Sequence, residues 1–288
     1  MTHKSIFLAP EAIFPITKDE TGQLLPQHPA TGFSVPGTIQ GEGKMAGIPV
    51  LFLRTAGCNL RCMWTLPNGD VSICDTPFAS FDTRGEKRVE VEQVKNIILQ
   101  NIGKKNHLIV SGGEPFIQPE PLVCLISKLK AERNILFAVE TNGTIFNEEL
   151  VNSIDFFSIS PKLRNSVPTK EKLDKTKVMI PFEPEQAERT RRNIEAIQAI
   201  IDHCKSNLNK DFQLKFVVQN HDELDEIEES FLSQLKGWKP DDVVLMPLGS
   251  TPEELEQTRM VALEAAIERG WRYSPRLQIT YFGGVAGV

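Results

Sequence analysis

The sequence predicts an α/β fold: a complete or partial (β/α) barrel, or a doubly wound sheet. Three observations lead there. From about residue 48, short apolar β-type runs alternate with helical patterns, as parallel βαβ units require. About six such units follow one another, too many for a small sandwich. The glycines and small polar residues expected of a ligand site collect directly after the strands, on the rim where both architectures place their active sites.

Taken in order, residues 1–37 are rich in Pro, Gly and Thr and show no sustained period. Residues 1–34 read as an N-terminal extension with one or two short strands such as Ser5–Leu8, and 35–288 as the main domain. Strands are expected at Val50–Arg54, His107–Ser111, Ile135–Glu140, Phe156–Ser160, Gln213–Val218, Val243–Met246 and Leu277–Phe282. Helical patterns cover Val91–Ile102, Glu120–Glu132, Pro184–Leu208, Glu223–Leu235 and Pro252–Arg269. The first six strands run into Thr55-Ala56-Gly57-Cys58, Gly112-Gly113-Glu114-Pro115, Thr141-Asn142-Gly143, Pro161-Lys162, Gln219-Asn220 and Pro247-Leu248-Gly249.

Composition narrows the function classes. With 288 residues the chain buries roughly 75% of its unfolded surface, so its core needs no disulfides. A net charge of −6 argues against a nucleic-acid surface, which needs a basic stripe. The basic run Arg189-Thr190-Arg191-Arg192 lies in a helical pattern among Glu185, Glu188 and Glu195 and reads as a solvated face. No signal peptide is visible and no stretch approaches the ~20 apolar residues of a membrane span. The expected compartment is the cytoplasm, where clustered cysteines indicate metal binding or catalysis rather than disulfides.

Three of the five cysteines cluster: Cys58, Cys62 and Cys74. Cys124 and Cys204 sit in helical patterns and read as core residues. A structural zinc site needs four ligands. Three thiolates instead leave one iron of a [4Fe–4S] cubane open to a small molecule, which in radical S-adenosylmethionine (SAM) enzymes is SAM. Eleven residues separate Cys62 from Cys74, with Asn68-Gly69 at their middle. Asn-Gly between β-formers signals a hairpin. A two-residue turn there pairs Leu66 with Val71 and Trp64 with Ile73, and sets Met63 opposite Cys74 and Cys62 opposite Asp75.

The runs Thr38-Ile39-Gln40-Gly41-Glu42-Gly43, Gly47-Ile48-Pro49, Phe52, Arg54, Gly57-Cys58-Asn59-Leu60-Arg61-Cys62 and Cys74-Asp75-Thr76 together resemble the 7-carboxy-7-deazaguanine synthases, radical SAM lyases of 7-deazapurine (queuosine-type) biosynthesis. The resemblance continues through Ser111-Gly112-Gly113-Glu114-Pro115, Glu140-Thr141-Asn142-Gly143, Ser160-Pro161-Lys162 and Ser274-Pro275-Arg276-Leu277-Gln278. The chain departs from the family in its eleven-residue spacing, where two residues are usual, and in its longer N-terminus.

The resemblance implies a partial (β/α) barrel of the radical SAM type, with the hairpin inserted in the cluster loop. It implies that SAM yields a 5′-deoxyadenosyl radical, which takes hydrogen from C6 of 6-carboxy-5,6,7,8-tetrahydropterin. Ring contraction and loss of ammonia then give 7-carboxy-7-deazaguanine. Cys58, Cys62 and Cys74 would hold the cluster and Thr76 a Mg²⁺ ion. Gly112, Gly113, Glu114, Thr141, Asn142, Ser160, Pro161 and Lys162 would meet SAM. Ile39, Gln40, Gly41, Glu42, Arg54, Ser111 and Gln278 would form the substrate pocket, with Gln40 and Glu42 reading the N–H edge of the pterin and Arg54 gripping its carboxylate. A homodimer and a flavodoxin or ferredoxin electron donor are also implied. The competing readings are a glycyl-radical-activating enzyme, which has no need of Gln40, Glu42 and Arg54 together, and a non-catalytic iron–sulfur module, which has no use for the SAM-type turns.

Overall fold

The computed structural model describes residues 4–178 and 184–288. Its strands are β1 (Ser5–Phe14), β2 (Thr38–Ile39), β3 (Pro49–Thr55), β4 (Met63–Thr65), β5 (Val71–Ile73), β6 (Lys87–Glu90), β7 (His107–Gly112), β8 (Leu136–Thr141), β9 (Phe156–Ile159), β10 (Asp211–Val218), β11 (Val243–Pro247) and β12 (Arg272–Tyr273). Its α-helices are α1 (Pro77–Ser80), α2 (Val91–Asn101), α3 (Pro119–Glu132), α4 (Glu148–Ser153), α5 (Lys170–Thr176), α6 (Pro184–Thr190), α7 (Ile194–Ser206), α8 (Asp222–Ile227), α9 (Pro252–Arg269) and α10 (Leu277–Phe282).

The strands β3, β7, β8, β9, β10, β11 and β12 are parallel neighbours in chain order, and β1 and β6 extend the β3 edge antiparallel. The two ends of this sheet do not pair, so the barrel is partial. The N-terminal segment enters the sheet through β1, and buried Asn101 of α2 holds the chain beyond it by accepting from Thr17 N and Lys18 N.

Side-chain alternation gives the sheet two unlike faces. In β10, Phe212, Leu214, Phe216 and Val218 join the main core, which α2, α3 and α7 cover. Gln213, Lys215 and Val217 point the other way. At the N-terminal ends of the strands this inner face is closed by an apolar plug of Met45, Val50, Ile109, Ala138 and Phe156. Toward the C-terminal ends it turns polar, through Arg54, Ser111, Glu140 and Lys215. A cavity opens there.

Local chemistry sets the helix ends. Thr251 caps α9 by accepting from Glu254 N, Pro252 fills the first turn and Gly270 ends it in the left-handed region. The long helix expected over Pro184–Leu208 is instead two: Asn193 caps a new start by accepting from Ala196 N. The break turns Arg191 inward. It is buried, ion-paired to Glu188 and Glu226, and donates to Lys162 O, so the basic run is not wholly a solvated face. The pattern over Glu223–Leu235 is α8 followed by one π-helical stretch, Glu228–Leu232.

Two further expectations are corrected. Leu277–Phe282 is helical, not a strand. Its alternating Leu, Ile and Tyr satisfy the period of a strand, yet Leu277 N donates to Gly41 O and Thr280 N to Arg276 O, while the sheet edge beyond β11 is taken by Arg272–Tyr273. The hairpin forms, but one residue out of register: Met63 pairs with Ile73 and Thr65 with Val71. The loop holds three residues, Pro67-Asn68-Gly69, because Gly69 takes the left-handed conformation that closes a turn with a bulge.

Candidate active site

Cys58 follows β3, while Cys62 and Cys74 flank the hairpin at its mouth. Cys74 N donates to Cys62 O at 3.0 Å, so the two face each other directly rather than diagonally. All three thiols line the cavity. Burial pushes the Cys58 thiol far up and the Cys62 thiol to about 11, so neither ionises without a metal's charge to draw off its proton. Among the described residues, no three Cys, His, Asp or Glu side chains converge on a single ion. Spaced thiols that share a cavity without sharing a point fit a cubane, whose thiolates each bind a different iron.

The turns after β3, β7 and β8 are bolted together by their backbones and one carboxylate. Glu114 N donates to Gly57 O at 2.8 Å, and Gly113 N to Thr55 O at 3.2 Å. Fully buried Glu114 accepts from Phe116 N, Thr141 Oγ1 and Asn142 N. It therefore holds the turn and does not line the cavity, and Pro161 does not line it either. Gly112, Gly113, Thr141, Asn142, Ser160 and Lys162 do. Lys162 Nζ donates to Ser160 Oγ at 2.9 Å, and no carboxylate among the described residues pairs with it.

The remaining expected residues, Ile39, Gln40, Gly41, Glu42, Arg54, Ser111, Thr76 and Gln278, also line this cavity. Arg54 is the clearest candidate anion hook. Its guanidinium carbon lies 4.5 Å from the Phe14 ring centre and 5.2 Å from that of Phe78, its buried Nε has no hydrogen-bond partner, and no described carboxylate forms an ion pair with it. Thr76 Oγ1 lies 3.4 Å from Cys74 Sγ.

Four charged lining residues were given no role from the sequence: Asp75, Glu140, Lys215 and Arg276. Glu42 and Arg276 pair at 2.9 Å, Arg276 reaches Asp75 at 2.6 Å, and Lys215 pairs with the other oxygen of Glu42. Burial alone would raise Glu42, but Lys215 and Arg276 hold it well below the carboxylate range. Burial likewise opposes the ionised form of Asp75, and Arg276 overrides it. Gln278 Nε2 gives Glu42 a third partner at 2.6 Å. A carboxylate has about four acceptor directions, so Glu42 keeps one. Among the described residues Glu140 receives only Gln40 Nε2 at 3.1 Å and Ser111 Oγ at 2.7 Å, and so has more left for a ligand. The signal that could have found them is a charged residue at an inward position of an apolar strand, as Lys215 and Glu140 are.

A partial barrel with three thiols and a glycine turn on its C-terminal rim defines a radical SAM enzyme. The family model "Radical SAM superfamily" matches residues 52–231, and the chain belongs to that superfamily. Within it the chain belongs to the 7-carboxy-7-deazaguanine synthase family. It is 36% identical over 252 residues to the 7-carboxy-7-deazaguanine synthase of Halobacterium salinarum, covering 84% of this chain and 86% of the relative. It is 36% identical over 249 residues to that of Rhodopirellula baltica, covering 86% and 85%. The crystal structure of QueE from Escherichia coli has the same fold, with a TM-score of 0.54, 22% identity and coverage of 91% and 93% of the two chains.

Proposed function

We propose that the cavity carries out the radical SAM ring contraction of 6-carboxy-5,6,7,8-tetrahydropterin to 7-carboxy-7-deazaguanine, with release of ammonia. The observation that supports this most is that one cavity contains both the three thiols and the polar set Gln40, Glu42, Arg54 and Glu140. Cys58, Cys62 and Cys74 would hold the [4Fe–4S] cluster, which when bound supplies the electron that cleaves SAM. Lys162, Ser160, Asn142 and the Gly112-Gly113 backbone would seat SAM beside it.

Arg54 would take the substrate carboxylate in a two-pronged grip. Glu140 and the remaining acceptor direction of Glu42 would receive N–H groups from the pyrimidinone edge. A ring lacking those groups would leave buried acceptors unpaired, which is how such a site rejects analogues. Thr76 would offer its hydroxyl to Mg²⁺, a hard cation that keeps most of its waters. Family membership also supports a homodimer reduced by a flavodoxin or ferredoxin, and five free cysteines suit the reducing cytoplasm.

The direct test is anaerobic turnover of the iron- and sulfide-reconstituted protein with dithionite, SAM, Mg²⁺ and 6-carboxy-5,6,7,8-tetrahydropterin, read by mass spectrometry. Formation of 7-carboxy-7-deazaguanine is expected. 5′-Deoxyadenosine and methionine without it would sink the substrate assignment. Added Mg²⁺ should stimulate the native enzyme more than Thr76→Val, and equal stimulation would remove Thr76 from the metal site. Arg54→Lys keeps the charge but loses the fork, so KM for the pterin should rise roughly ten- to a hundredfold. An unchanged KM would place the carboxylate elsewhere.

A further inference from the structure

The hairpin between Cys62 and Cys74 is held down by a lysine outside the cavity. Lys172 of α5 is 8% exposed. Its ammonium has three protons and donates to three backbone carbonyls: Met63 O at 2.9 Å, Asn165 O at 2.6 Å and Val167 O at 2.8 Å. Met63 adjoins Cys62. Asn165 and Val167 flank Ser166, whose hydroxyl donates to Leu163 O at 2.7 Å and ties down the same turn.

Among the described residues no carboxylate forms an ion pair with Lys172. The neighbouring Glu171 is exposed and pairs with Lys175 at 3.0 Å. Three carbonyls satisfy the hydrogen bonds of an ammonium but bring no formal negative charge to it, and a buried charge without a close counter-charge is costly. Met63, whose carbonyl takes one of its protons at 2.9 Å, is the residue next to Cys62, which puts the ammonium beside the cluster loop. A cubane held by three thiolates is net negative, and more so after reduction.

We propose that Lys172 is the buried counter-charge of the cluster, clamping the hairpin that carries Cys62 and Cys74 and favouring the reduced state electrostatically. This rests on the reading that the three cysteines ligate the cluster. Lys172 touches neither SAM nor pterin in that reading, so it is a positioning residue. Lys162 and Arg61 also bear on Cys62. Lys162, however, faces the cavity where SAM would sit, and Arg61 spans Cys58 O and Leu60 O on the other arm of the loop.

The test compares the native enzyme, Lys172→Met and Lys172→Arg, each reconstituted, assayed for iron and sulfide, and titrated by electron paramagnetic resonance without SAM or substrate. The Met variant should show a more negative midpoint potential and the Arg variant a midpoint at the native value. A fully loaded Met variant at the native midpoint would overturn the proposal. So would an Arg variant shifted as far as Met, since geometry rather than charge would then be responsible. If the Met variant does not load, the Arg variant decides alone: a native midpoint supports the role and a negative shift refutes it. A native protein that binds no iron would refute the cluster reading itself.

Discussion

Replacing Lys215 with methionine should destabilise the protein by about 3 kcal/mol and largely abolish pterin turnover, while SAM binding stays near native. Lys215 and Glu42 are both buried, at 7% and 9% side-chain exposure, and pair directly in the cavity wall. Removing the lysine leaves Glu42 charged and dependent on Arg276 and Gln278 alone. The cost sits at the low end for a broken buried pair because Arg276 remains. Methionine fills similar volume, so little of the loss would come from a void. Adding Glu42→Gln should recover part of the stability, since no orphaned carboxylate then remains, but should not restore turnover. Chemical denaturation of the four proteins in this cycle checks it; strict additivity would mean the pair does not interact. The pairing also has a pH signature. Glu42 is held below its ordinary value of 4.5, so its contribution is complete above that value and is lost as the pH falls through the depressed one.

The network shows where sequence reasoning was strong and where it stopped. The rim is legible in the sequence because parallel strands place their C-terminal ends on one side, which aligns Arg54, Ser111 and Ser160. The cysteines were legible because their chemistry is local. Lys215 and Arg276 were not, because their meaning lies in partners 173 and 234 residues away. Taken alone, a lysine in a strand and an arginine before a β-rich run look like surface residues. The same non-locality misled the reading of Leu277–Phe282: six residues with strand-like alternation became a helix once Arg276 was locked to Glu42 and Asp75 and the neighbouring edge was filled. The hairpin error was smaller in kind. Asn68-Gly69 located the turn, but a two-residue and a three-residue loop place the same glycine differently, and that shift sets Cys62 opposite Cys74 instead of Asp75.

Gly113→Ala should be a severely damaging single-methyl change, costing about 3 kcal/mol and impairing cluster loading as well as SAM cleavage. A Cβ at Gly113 would lie 1.8 Å from Gly57 O and 2.7 Å from Ala79 O. Both atoms are backbone, so no side chain can swing aside. Relief requires the Cys58 loop to move off the β7 turn, and Gly57 is the residue before Cys58. This adds a second reason for the glycine to the expectation that Gly113 meets SAM, where a missing side chain lets the backbone approach. If approach to SAM were the whole reason, the variant would load its cluster normally and only bind SAM weakly. If stacking of the two turns positions Cys58, iron content and cluster absorbance fall too, with SAM absent. Ser111→Ala is the comparison: it adds no atom, removes one hydrogen bond to Glu140, and should cost about 1 kcal/mol with the cluster intact. Iron analysis of the two variants separates the readings, because only a displaced ligand loop loses iron before any substrate is added.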